Sequence, residues 1–200
     1  MGRGSAAVLD FRARAGGTAA RHPGNQLGIL GLGYLGKAAA KVFLQMGFDV
    51  AGWSRTLKQI EGVSSYSGRD GLTEMLNKTD YLVNILPLTD ETLNLLNTET
   101  LSQLKRGAYF INVGRGQTLV EEDLIPLLDA GQLSGACLDV FRTEPLAEGH
   151  PFRKHKKILI TPHNSCSTPP EAVAPRIYEN YKRAISGRQL LNLVDLKHGY

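Results

Sequence analysis

Cysteine is scarce in this chain of 200 residues: only Cys137 and Cys166 occur. Two are too few for the disulfide framework of a small secreted domain, and neither stands at a metal-ligand spacing. They read as free thiols of a reducing, cytoplasmic compartment, each in a core or cleft segment, and no metal is expected. No apolar run approaches the length needed to cross a bilayer, and the N terminus has no apolar stretch of the secretory kind. A membrane partner is therefore not expected. Also missing is a basic face. The formal charge is +4, but residues 1–26 hold Arg3, Arg12, Arg14 and Arg21 against Asp10 alone, which leaves the other 174 residues at +1. That distribution argues against a nucleic-acid partner. No internal repeat is found.

What is present begins at Leu27. An apolar, strand-like segment, Leu27-Gly-Ile-Leu30, runs into Gly31-Leu-Gly33-Tyr34-Leu35-Gly36 and then into a helical pattern. In this setting Gly31 makes the tight turn, Gly33 lets a pyrophosphate approach the backbone, and Gly36 lets helix and strand pack closely. The free N–H groups of the helix start, at the positive end of its dipole, would hold the phosphates. A lone Gly-x-Gly-x-x-Gly is a weak signal, but its context strengthens it. Leu35, Ala38, Ala39, Val42, Phe43 and Met46 recur at helical spacing, which predicts one core-facing stripe, with Gly47 as the stop. A second strand, Asp49–Trp53, completes a strand–helix–strand unit of dinucleotide-binding size.

Residues 1–25 are rich in Gly, Ala and Arg without periodicity and read as a disordered leader. An Arg-rich start suits an organelle transit peptide, but Asp10 and the scarcity of Ser and Thr go against one. Further strands are expected at Tyr81–Leu86, Ala108–Val113, Gly135–Val140 and Ile158–Thr161. Helices are expected at Tyr34–Met46, Gly71–Asn77, Glu91–Asn97, Thr100–Lys105, Glu121–Ala130 and Pro169–Ser186. Glu121, Glu122 and Asp123 load one first turn with negative charge before Gly131 ends that helix. Thr168-Pro-Pro-Glu171 matches a capping box, and Gly187 follows the last helix. Short apolar strands alternating with helices predict an α/β fold with a doubly wound parallel sheet, of Rossmann type, over residues 26–187, followed by a tail at 188–200. Ligands of such a sheet sit beyond the carboxyl ends of its strands. The loops to search are therefore Gly31–Gly36, Ser54–Lys58, Pro87–Glu91, Gly114–Gly116, Phe141–Pro145 and Pro162–Ser167.

The residue after the second strand normally reads the adenosine ribose, and an acid there favours NAD. This chain offers Ser54-Arg55-Thr56-Leu57-Lys58, with Ser54 18 residues past Gly36 and no acid. Arg55 and Lys58 suit a 2′-phosphate, so NADP(H) is expected to be preferred, with NAD(H) still possible. Arg115 lies between two glycines, which leaves its guanidinium room to clamp a small carboxylate. Glu144 and His163 each follow a strand by a short loop. Three ionisable groups are thus expected at the sheet edge that carries the nucleotide loop. A carboxylate beside an imidazole favours its protonated form. His22, His150, His155 and His198 lie in polar stretches and read as solvated.

These blocks resemble the D-isomer-specific 2-hydroxyacid dehydrogenases. The match rests on Gly31-Leu-Gly-Tyr-Leu-Gly36, Trp53-Ser-Arg55-Thr, Asn84-Ile-Leu-Pro-Leu-Thr-Asp-Glu-Thr92, Asn112-Val-Gly-Arg115-Gly, Leu138-Asp-Val-Phe-Arg-Thr-Glu144-Pro-Leu and Ile160-Thr-Pro-His163, and it covers Gln26 to Tyr200. The resemblance implies reduction of a small 2-oxo acid, glyoxylate or hydroxypyruvate, by NADPH or NADH. It implies His163 as the acid/base, Glu144 as its support and Arg115 as the carboxylate clamp. Asp139, with main-chain groups near Val113 and Gly114, would hold the nicotinamide carboxamide, and Leu86 and Pro87 would line the cofactor. It also implies a homodimer formed through the nucleotide-binding domain.

Two departures stand out. The family's substrate lobe, of about a hundred residues, normally precedes the fingerprint, whereas Gly31 stands near the start here. The chain is therefore expected to be a truncated form with little activity alone. Asn164-Ser-Cys166 also replaces the small apolar residues usual after His163. The alternative is a non-catalytic NADP(H)-binding module or interaction protein on the same scaffold.

Overall fold

A computed structural model describes residues 25–166 and 169–194. Seven strands form one sheet: β1 (Gln26–Leu30), β2 (Asp49–Trp53), β3 (Val63–Tyr66), β4 (Tyr81–Asn84), β5 (Ala108–Asn112), β6 (Leu133–Leu138) and β7 (Ile158–Ile160). Their order is β3-β2-β1-β4-β5-β6-β7, and every pairing is parallel. The helices are α1 (Tyr34–Gln45), α2 (Gly68–Leu76), the single turn α3 (Thr98–Leu101), α4 (Glu121–Asp129) and α5 (Pro170–Ile185). The chain divides into two compact units, Met1–Pro162 and His163–Tyr200.

Strand order reverses at β1, which lies between β2 and β4, so a crevice opens at the carboxyl ends of β1 and β4. Both faces of the sheet are covered, as a parallel sheet requires. Leu27 and Ile29 join Ala40, Phe48, Val50 and Val83 in one core, with Phe43 and Leu44 packed against it. Leu30 joins Met75, Leu82, Phe110, Leu124, Leu128 and Leu138 in the other. Each large apolar side chain withdrawn from water in this way contributes about 1.5–3 kcal/mol.

Several expectations are corrected. The core-facing stripe of α1 is only in part the one expected: Phe43 packs against the core, but its other large members do not. Leu35, Val42 and Met46 are 53%, 53% and 46% exposed. The buried face runs instead through Gly36 and Ala40, with Phe43 and Leu44 half-buried. Residues Glu91–Asn97 form turns and not a helix, because Leu96 is drawn into a parallel bridge with Leu119. Leu96 N–H donates to the Thr118 carbonyl at 2.9 Å, and Val120 N–H donates back to Leu96. The helix expected at Thr100–Lys105 is the turn Thr98–Leu101, and β4 stops at Asn84. Strand β3 was not expected. Thr168, the residue on which the capping box depends, lies outside the described residues; the helix begins at Pro170.

Cys166 is exposed and not in a core, whereas Cys137 is half-buried. His150 and His155 are not simply solvated. His150 Nδ1 accepts the Phe152 N–H and its ring packs edge-on against Phe152 at 4.6 Å, while His155 pairs with Asp129 at 3.2 Å. His22 and His198 lie outside the described residues. Among the described residues, no helix is long and apolar enough to cross a membrane.

Candidate active site

The turn after β1 is built by backbone contacts. Gly31 has φ +104° and donates its N–H to the Trp53 carbonyl at 2.8 Å. That conformation is open to glycine at little cost. A Cβ at Gly36 would overlap the Gly31 carbonyl oxygen, so this glycine lets α1 sit directly on the turn that precedes it. Gly33 is different. A Cβ there would meet nothing within 4 Å, so the protein's own packing does not require glycine at this position. An open place at the N-cap of a 12-residue helix fits a group supplied from outside. The first amides of α1 have no partner within the helix and point the same way. Tyr34 and Leu35, beside them, are exposed at 91% and 53%.

The loop after β2 is closed on itself. Ser54 is buried, and its Oγ donates to the Thr56 carbonyl at 2.8 Å; Lys58 Nζ donates to Thr56 Oγ1 at 2.9 Å. Arg55 and Thr56 are exposed and Lys58 is half-buried. Two cations and a buried hydroxyl thus occupy the place where the ribose is read.

The strands β4 and β5 end on a buried polar knot that the sequence did not disclose. Asn84 Nδ2 donates to Asn112 Oδ1 and to Thr118 Oγ1, each at 2.9 Å. Asn84 Oδ1 accepts Leu86 N–H, and Asn112 Oδ1 accepts Gly114 N–H, both at 3.2 Å. The knot fixes the loops of Leu86 and Arg115 side by side. Its signal was available in outline: each of two adjacent apolar strands ends in an asparagine, and the two pair in register.

The glycines flanking Arg115 let backbones touch. A Cβ at Gly114 would lie 2.8 Å from the Leu86 carbonyl oxygen, and one at Gly116 would overlap the Phe141 carbonyl. Arg115 itself is exposed, with Nη1 donating to the Gly114 carbonyl at 2.8 Å. Leu86 is buried, while Pro87 and Val113 are half-buried.

The loop after β6 packs on Gly116 and carries Glu144. Glu144 is exposed, and its Oε1 accepts the Phe141 N–H at 2.9 Å. Arg142 ties the neighbouring loops together: Nε donates to the Leu119 carbonyl at 2.9 Å, Nη2 donates to Asn94 Oδ1, and its N–H donates to Glu121 Oε1 at 2.8 Å. Asp139 is 1% exposed and accepts from Thr161 Oγ1. Arg115 and Glu144 therefore follow adjacent parallel strands in the first unit. His163 is the third residue past β7 and the first residue of the second unit. Its φ of +51° is uncommon for a residue other than glycine.

The sequence model described as D-isomer specific 2-hydroxyacid dehydrogenase, NAD binding domain, matches residues 7–165. Glyoxylate/hydroxypyruvate reductase A of Yersinia enterocolitica is 43% identical over 180 residues, covering 90% of this chain and 58% of that protein. The reductase of the same name from Serratia proteamaculans is 44% identical over 174 residues, covering 87% and 56%. The chain thus spans a little over half the length of these relatives. Among solved structures, a D-isomer specific 2-hydroxyacid dehydrogenase of Xanthobacter autotrophicus Py2, in complex with NADPH and MES, is 43% identical with a TM-score of 0.86, over 96% of this chain and 81% of that one. An NADPH-dependent glyoxylate/hydroxypyruvate reductase of Sinorhizobium meliloti, in complex with NADP and sulfate, is 37% identical with a TM-score of 0.86, over 97% and 64%. By sequence and by fold, the chain belongs to the D-isomer-specific 2-hydroxyacid dehydrogenase family, as its NAD-binding domain.

Proposed function

We propose that this chain is the cofactor-binding part of an NADPH-preferring reductase of small 2-oxo acids, with glyoxylate and hydroxypyruvate as substrates. The observation that carries the reading is the open cradle at Gly33, on the sheet edge that also carries the Arg115 loop. Residues Gly31 to Gly36 would hold the pyrophosphate. Ser54, Arg55, Thr56 and Lys58 would hold the 2′-phosphate, with Leu86, Pro87, Val113, Gly114 and Asp139 toward the nicotinamide. When bound, NADPH supplies the hydride that reduces the carbonyl carbon. Arg115 would grip the substrate carboxylate and fix the oxo group. His163 would donate a proton to the carbonyl oxygen as negative charge develops there, and Glu144 would orient the imidazole and favour its protonated form. The same reading includes a homodimer formed through this domain and a place in the cytoplasm.

The test is oxo-acid-dependent loss of NADPH absorbance in the wild type and in His163→Ala. Glyoxylate or hydroxypyruvate should drive only slow NADPH oxidation by this chain alone, and His163→Ala should abolish that residual rate while NADPH still binds. Binding without turnover in the wild type would favour a non-catalytic NADP(H)-binding module, and equal rates in both proteins would remove His163 from the mechanism.

A further inference from the structure

Strand β3 is an edge strand of four residues, and no helix lies on its connection from β2. Val63, Ser65 and Tyr66 are only half-buried and Ser64 is exposed, so the strand adds little to either core. It holds the Ser54–Lys58 loop at two adjacent residues. Ser54 N–H donates to the Tyr66 carbonyl at 3.1 Å, extending the β2–β3 ladder one step beyond β2. Lys58 N–H donates to Ser65 Oγ at 2.8 Å. That second bond is a side-chain bond at the far end of the loop, and it sets where Lys58 leaves the backbone. From there Lys58 Nζ reaches Thr56 Oγ1, and Thr56 is tied through its carbonyl to Ser54 Oγ.

We infer that Ser65 is a positioning residue for cofactor selectivity: its hydroxyl anchors Lys58 so that the ammonium is already gathered with Thr56 where a nucleotide 2′-phosphate docks. The inference rests on the reading of Ser54–Lys58 as the 2′-phosphate loop. A lysine side chain has many rotamers, and a phosphate that must collect a free one loses affinity to that ordering. Ser65 removes part of the cost before the nucleotide arrives. It acts only through Lys58, so its effect falls on the 2′-phosphate and spares the parts of the cofactor shared with NAD.

The experiment measures affinities of the chain for NADP+ and NAD+ by isothermal titration. Ser65→Ala should weaken NADP+ roughly three- to tenfold, the effect of one hydrogen bond, and leave NAD+ unchanged. Ser65→Thr, which keeps the hydroxyl on a strand position that favours β-branching, should restore NADP+ affinity. Lys58→Ala should weaken NADP+ by about tenfold or more. Adding Ser65→Ala to it should then cost nothing further, because residues acting through one contact are not additive. Equal weakening of both nucleotides by Ser65→Ala, no weakening of either, or full additivity with Lys58→Ala would each overturn the role of Ser65. Should the wild type bind NADP+ no better than NAD+, the underlying reading of the loop fails first, and the Ser65 proposal falls with it.

Discussion

Tyr109 on β5 and Cys137 on β6 occupy neighbouring strands, and both are harder to ionise than in water. Burial, with a smaller contribution from Cys137, pushes the Tyr109 phenol up to about 12. Burial and then the Asp139 carboxylate push the Cys137 thiol up. The consequence for stability has a definite sign. An unfolded tyrosine loses its proton near pH 10, while folded Tyr109 keeps it to about pH 12. The stabilisation is fully present below pH 10 and is lost as pH rises from there through about 12, where the unfolded state gives up a proton that the folded state retains. Thermal melts should therefore show the midpoint falling across that window, and Tyr109→Phe should flatten the fall. An identical slope in the variant would assign the alkaline loss to other groups.

At the scale of elements, the fingerprint glycines separate structure from binding. Gly36→Ala places a methyl group into the Gly31 carbonyl, so either α1 shifts or the turn opens. Overpacking of backbone against backbone costs about 1–3 kcal/mol or more. Gly33→Ala meets no protein atom within 4 Å. Its melting point should stay near that of the wild type, while NADPH protection against thermal unfolding is lost, since the new methyl group fills the phosphate's place. Gly36→Ala should lower the melting point before any nucleotide is added. Retained NADPH protection in Gly33→Ala would mean that the cradle is not where the pyrophosphate sits. The fingerprint was legible in the sequence because its spacing is dictated by one turn, one helix start and one strand.

The buried side of α1 was only partly legible, for a related reason. Where helix and turn backbones approach most closely the side chains must be small, so the inner face passes through Gly36 and Ala40, and the larger residues Leu35, Val42 and Met46 lie outside. Counting apolar residues selects a stripe that is wrong in part. Strand β3 escaped because Val63-Ser-Ser-Tyr66 is half polar, as an edge strand with little core to make can be. The Asn84–Asn112–Thr118 knot escaped because local sequence does not show that residues 28 and 34 positions apart share hydrogen bonds. The positions of Arg115 and Glu144 just beyond strands β5 and β6 were legible, since a parallel sheet sends every strand end to one edge.

At the scale of the whole molecule, that misread stripe becomes informative. Leu35, Val42 and Met46 recur along the outer side of α1 at intervals of seven and four residues, roughly half exposed, on a helix whose inner side is already packed. A contiguous apolar stripe left in water lowers solubility and offers itself for burial against another surface. Within the proposed function the covering surface is a second copy of this chain, which would place the same patch of each copy at a twofold interface. Sedimentation equilibrium should then return a mass of twice 21.8 kDa at micromolar concentration. The double variant Val42→Asp, Met46→Asp should return the single-chain mass, because two carboxylates on each copy would be desolvated opposite two more. Melting of the dilute variant separates this from unfolding: both substituted side chains lie on the outside of α1, so the variant's melting point should match that of the wild type diluted to its own monomeric state. A wild type that stays at the single-chain mass throughout would end the homodimer proposal, and a variant that stays dimeric would move the interface off α1.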